Sequence, residues 1–144
     1  MRLGVGGAGL IIALRVPEGV SIHEFISDVV SSRRLKGGLI VGIGGLDYAE
    51  VGYYSPTTRE YIVTQLRAST TVLEVTSLIG NYFVKPDGSV SIHIHVNLAT
   101  PDGVKGGHLI KGVAKPFLEV FLLEGGLDLA SIFTRGSCEV SYHH

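Results

Sequence analysis

The chain has 144 residues, enough for one domain with a sizeable core. Its 12 basic and 13 acidic residues leave a formal net charge of -1, so the basic excess that marks a nucleic-acid surface is missing. A mean hydropathy of +0.36 with only 17% charged residues points to a buried subunit interface as well as a core, because obligate interfaces resemble a core cut in half.

In chain order, Gly4-Val-Gly-Gly-Ala-Gly9 spells a glycine-rich phosphate fingerprint. That fingerprint works only where a strand delivers the chain to a helix N-terminus. Here only Met1 to Leu3 precede it, and the apolar run Leu10–Val16 that follows reads as a strand. Residues 1–9 are therefore expected to be a flexible or interface arm, with a single domain over 10–144. The run is far short of the roughly 20 residues of a membrane span. Only Arg2 precedes it and no cleavage site is evident, so no membrane partner and a cytoplasmic location are expected.

Ser21-Ile-His-Glu24 has the form of a capping box. Ile22, Phe25, Ile26, Val29 and Val30 follow at helical spacing, which predicts an amphipathic helix ending near Lys36 with Gly37-Gly38 as its stop. Arg33, Arg34 and Lys36 would then complement the helix dipole. His23 reads as a surface residue.

Leu39–Ile43 is a short continuous apolar run, as in a central buried strand. The glycines from Gly42 to Gly45, Gly44 among them, read as a tight bend beside a pocket. A strand through Val51, Tyr53 and Tyr54 then turns at Ser55-Pro56 and returns as Tyr61–Thr64. Gln65–Ser69 is a polar link. Thr70–Phe83 is β-rich, and Glu74 sits in it among hydrophobic residues. A buried Glu74 would need a partner or a raised pKa; the alternative is a Glu74 on an exposed edge.

Ser91 to Ile110 carries the chemistry. Ile92, Ile94, Val96 and Leu98 alternate with His93, His95 and Asn97, a half-buried strand. Pro101-Asp102-Gly103 is a turn. With Asp102-Gly103 as a two-residue loop, His108 falls opposite Asn97 and diagonal to His95, and the three histidines share one face. Gly106 and Gly107 would allow a close approach of backbone or ligand. Three imidazoles on one face are a metal-ligand pattern, which suits zinc with an open fourth position. The alternative is a solvated polar sheet face.

Lys111–Pro116 reads as a link, and Phe117–Leu123 as a last apolar strand closed by Gly125-Gly126. Ser131–Thr134 and Cys138–Tyr142 look strand-like. The single cysteine, Cys138, excludes an intrachain disulfide and fits a reducing compartment; it reads as an inert thiol. His143 and His144 are set aside from the metal argument.

These segments resemble a known family. H-x-H, an acidic-glycine turn and G-G-H-L, together with Gly42 to Tyr54 ending in G-Y-Y and Leu73 to Asn81 with E-x-x-S-L-x-G-N, are similar to the PPC (plants and prokaryotes conserved) domain, also found behind AT-hooks. The resemblance runs from about Leu10 to Glu124. It implies a compact α/β domain, mixed and largely antiparallel with few helices, that assembles as a homotrimer. It also implies a metal at His93, His95 and His108 in some prokaryotic members, but no known reaction. The AT-hook core Arg-Gly-Arg-Pro is absent from this chain, so direct DNA binding lacks its usual grip.

Two functions follow. One is a trimeric binding and assembly module holding zinc or a small ligand, with Asn97, Glu74, Gly106, Gly107 and Gly44 around the histidines, and with any regulatory DNA role exerted through partners. The other is a hydrolase using a zinc-bound water, with Glu74 or Glu50 as general base; catalytic residues are otherwise unassigned.

Overall fold

The structure is a computed structural model and describes residues 1–133. Strand β1 covers Ala8–Pro17 and helix α1 Ile22–Ser32. Five strands follow: β2 Gly37–Ser55, β3 Glu60–Arg67, β4 Leu73–Val84, β5 Val90–Thr100 and β6 Gly103–Gly125. Helix α2, Leu129–Ile132, ends the described chain.

All strand pairings are antiparallel, and the sheet order is β1-β6-β5-β4-β2-β3. An additional β2–β6 pairing joins β2, β4, β5 and β6 into a closed ring. Closure satisfies backbone groups that an open edge would leave unpaired. The largely antiparallel, few-helix architecture expected from the sequence is the one observed.

The core lies inside this ring. Leu78, Ile94, Leu98, Leu109, Leu118 and Leu122 are buried there, with Ile22, Ile26 and Val30 of α1. Full burial of such a side chain is worth about 1.5–3 kcal/mol, which explains why an eleven-residue helix holds its place.

Several sequence expectations need correction. α1 stops at Ser32, with Arg33 as its C-cap, so its last turn holds no basic residue. The capping box is not made, because Ser21 forms no side-chain cap bond. Leu39–Ile43 and the stretch to Tyr54 are one 19-residue strand. The glycines do not bend it sharply. They sit at a bulge between Gly42 and Gly44, where Gly44 has φ +143, a conformation that favours glycine. Nor is Leu39–Ile43 buried on both sides: Leu39, Val41 and Ile43 are exposed.

β3 absorbs Gln65 to Arg67, which the sequence reading placed in a link. In β4, a bulge between Val75 and Ser77 flips the alternation, so that Leu73, Val75 and Leu78 all face the core. Lys111–Pro116 is not a link but the middle of β6. Pro116 is tolerated there because the β2 register jumps from Leu118 to Ala114, leaving no ladder bond for a proline to miss. Ser131 and Ile132 are helical rather than extended. Cys138–Tyr142, His143 and His144 lie outside the described residues.

Candidate metal centre

β5 and β6 form a hairpin whose two-residue loop is Pro101-Asp102, because Thr100 pairs with Gly103. The expected loop, Asp102-Gly103, is one residue late. The shift moves every pair by two positions, so it changes partners and preserves faces. His108 therefore stands directly opposite His95, and Gly106 opposite Asn97.

His93, His95 and His108 offer ring nitrogens that all lie within 4.8 Å of one another. Nε2 of His93 is 3.2 Å from Nε2 of His95. Ring centroids are 5.1 Å apart for His93–His95, 5.1 Å for His93–His108 and 5.5 Å for His95–His108. Exposure grades across the set: His95 is exposed, His93 half-buried and His108 buried. Three aromatic nitrogens turned towards one point form a donor set for a metal ion, with one side open to solvent.

The other expected residues divide. Asn97 continues the same face, and its amide donates to Ser77 Oγ at 3.2 Å. Gly106 does permit a close approach, but of its own neighbour: a Cβ there would lie 2.4 Å from the Val96 carbonyl oxygen and 2.5 Å from Asn97 Oδ1. Gly107 lies against β2, where a Cβ would be 3.0 Å from the Gly52 oxygen. Glu74 is exposed and pairs with Ala99, four residues along β5 from His95, a separation of about 13 Å at the usual strand rise. Gly44 pairs with Val75 and Leu118, away from the histidines.

Glu50 is the better-placed carboxylate. It is 7% exposed, accepts from Tyr48 Oη at 2.8 Å, and lines a cleft with His108.

Two neighbours escaped the sequence reading. Tyr61 stacks on His108 with centroids 4.7 Å apart. β3 pairs with β2 so that Tyr61 faces Tyr54, while Gly52 faces His108. A Cβ on Gly52 would lie 2.9 Å from the Tyr61 ring, so the missing side chain makes room for the stack. Only the β2–β6 register reveals this, and spacing within one strand does not. The other is His23, half-buried rather than a surface residue, in the wall of the same cleft. Desolvation pushes its pKa below the usual imidazole value, partly offset by a bond to the Leu109 carbonyl.

No helix among the described residues is long and apolar enough to cross a membrane. A family model described as the Plants and Prokaryotes Conserved (PCC) domain matches residues 4–125. A plant- and prokaryote-conserved (PPC) protein from Pyrococcus horikoshii is 34% identical with a TM-score of 0.80, over 88% of this chain and 86% of that one. A metal-containing protein from Archaeoglobus fulgidus is 30% identical with a TM-score of 0.78, over 87% and 86%. A candidate DNA-binding protein from Bacteroides thetaiotaomicron shares the fold at 18% identity and a TM-score of 0.72, over 84% and 85%. No curated protein matches the sequence.

Proposed function

The chain belongs to the Plants and Prokaryotes Conserved domain family, and from that premise we propose that it is a homotrimeric binding and assembly module with a zinc ion held by His93, His95 and His108. The observation that carries this reading is the convergence of three ring nitrogens within 4.8 Å. Two ligands about 2.0–2.1 Å from a tetrahedral zinc ion stand about 3.3–3.4 Å apart, and the His93 and His95 Nε2 atoms are 3.2 Å apart. The metal-containing relative from Archaeoglobus fulgidus supports it.

Assembly is supported by the outer sheet face. Ile11, Leu39, Val41, Ile43, Ile79 and Phe121 are all exposed. They are neighbours: Val41 pairs with both Ile79 and Phe121, and Ile11 and Leu39 both pair with Leu123. A contiguous apolar area of this kind marks an interaction surface. Residues 1–9 serve as an arm at that interface of a 10–144 domain. The protein acts in the cytoplasm, and any regulatory effect on DNA passes through partners, since the net charge of -1 offers no phosphate footprint.

The alternative is a small hydrolase. It is favoured by Glu50, a buried carboxylate sharing a cleft with His108. When bound, zinc would supply Lewis acidity and lower the pKa of a water molecule; Glu50 would hold the displaced proton.

Elemental analysis beside light scattering tests the proposal, on protein lacking His143 and His144. About one zinc per chain in a trimer, and none in His93→Ala/His95→Ala, is expected. No zinc in the parent after loading at neutral pH would sink the site, and a monomer would sink the assembly. Ester hydrolysis lost in Glu50→Gln with zinc retained would favour the hydrolase.

A further inference from the structure

The β5–β6 ladder ends at the pair His95–His108, and past it β5 has no pairing with β6. The two strands fork there, and α1 lies across the opening, packed on both. Between them is a cleft of about 710 Å³. That falls within the roughly 300–1,000 Å³ typical of small-molecule sites.

The chemistry of its wall is one-sided. His23 Nδ1 is buried without a protein partner. In a neutral ring with its hydrogen on Nε2, that nitrogen is a bare acceptor. Glu50 adds a second buried acceptor, a carboxylate oriented by the Tyr48 hydroxyl. At the rim, Glu24 and Asp28 stand one helical turn apart on α1. Like charges at that spacing repel, and neither forms an ion pair among the described residues. Lys111 is the one lysine or arginine lining the cleft. Three carboxylates thus face one ammonium.

We infer that this cleft is a binding site for a small molecule bearing a primary ammonium group, which donates to His23 Nδ1 and the Glu50 carboxylate while Glu24 and Asp28 hold the mouth negative. A ligand that supplies hydrogens and positive charge satisfies both buried acceptors; an anion satisfies neither. Such a molecule would lie beside His108, so the ammonium pocket and the histidine cluster would read two ends of one ligand. The ammonium end needs no metal, and its test is independent of the zinc proposal.

Calorimetric titration of chelator-stripped protein with three probes of equal chain length tests this. Putrescine ends in ammonium groups, tetramethylene glycol in hydroxyls and succinate in carboxylates. Saturable putrescine binding is expected, at least tenfold tighter than the glycol, with none for succinate. Glu50→Gln should weaken putrescine at least tenfold. Asp28→Asn, at an exposed position that leaves the core untouched, should weaken it by a smaller factor, and the distant Glu60→Gln should leave it unchanged. Succinate binding as tightly as putrescine, equal losses in Asp28→Asn and Glu60→Gln, or no saturable binding of any probe would overturn the inference.

Discussion

One row of cross-strand neighbours runs along the outside of the ring from Phe121 through Val41 and Ile79 to His95 and His108. Its first three members are exposed apolar side chains, with Phe121 52% exposed and Ile79 61%. Its last two are imidazoles, and His108 is only 5% exposed. The apolar sector is bare where apolar residues are normally covered. In the histidine sector His95 is exposed, but His108 is sheltered where polar residues are normally wet, because Tyr61 lies on it. Side-chain alternation decides which face a residue takes; what covers that face is a separate question, answered by other strands or other chains.

The apolar sector can be broken without touching the other. A charge placed at its centre by Val41→Asp or Phe121→Asp should convert the proposed trimer to monomers of about one third the mass by light scattering, with zinc content per chain unchanged. A trimer of undiminished mass in both variants would remove this sector from the interface.

The boundary between the sectors is narrower. Gly80 follows Ile79 and pairs with Ile94, between His93 and His95. A Cβ there would lie 2.0 Å from the His93 carbonyl oxygen. Gly80→Ala must push β5 away from β4, an overpacking worth about 1–3 kcal/mol. A lowered urea midpoint at constant slope is expected, with weakened zinc retention. Unchanged values for both would show that the ladder yields without cost.

The smallest expected effect concerns His23. Its pKa is lowered from 6.5, chiefly by desolvation. The folded state therefore binds fewer protons than the unfolded state just below pH 6.5. This contribution is present in full above the unfolded value and is lost as pH falls from there towards the folded pKa. In zinc-free protein, His23→Gln should flatten stability against pH in that window relative to the parent. Identical slopes would place His23 in contact with water.

Much of this was legible in the sequence. The alternation in β5 gave the histidine face, and the hairpin turn returned His108 to it, because an error of one residue in the loop left the parity intact. Hydrophobic neighbours in sequence do not decide which face a residue takes in a bulged strand, and Glu74 is exposed in β4. Glycine serves a bulge as readily as a pocket, and Gly44 lies at a bulge of β2. β2 and β6 were each split in two, since glycines and a proline look like breaks when the register shifts that accommodate them are unknown. His23 and Tyr61 reach the site from α1 and β3, and only the closed ring brings those elements together.

Everything proposed for the histidine sector depends on three imidazoles of one chain holding one metal ion. Zinc K-edge absorption spectroscopy on the loaded protein lacking His143 and His144 tests it most directly. Three imidazole nitrogens at about 2.0–2.1 Å with one further light atom are expected, with loss of the imidazole signature in His93→Ala/His95→Ala. A shell of oxygens alone, or a sulfur scatterer at about 2.3 Å, would contradict it.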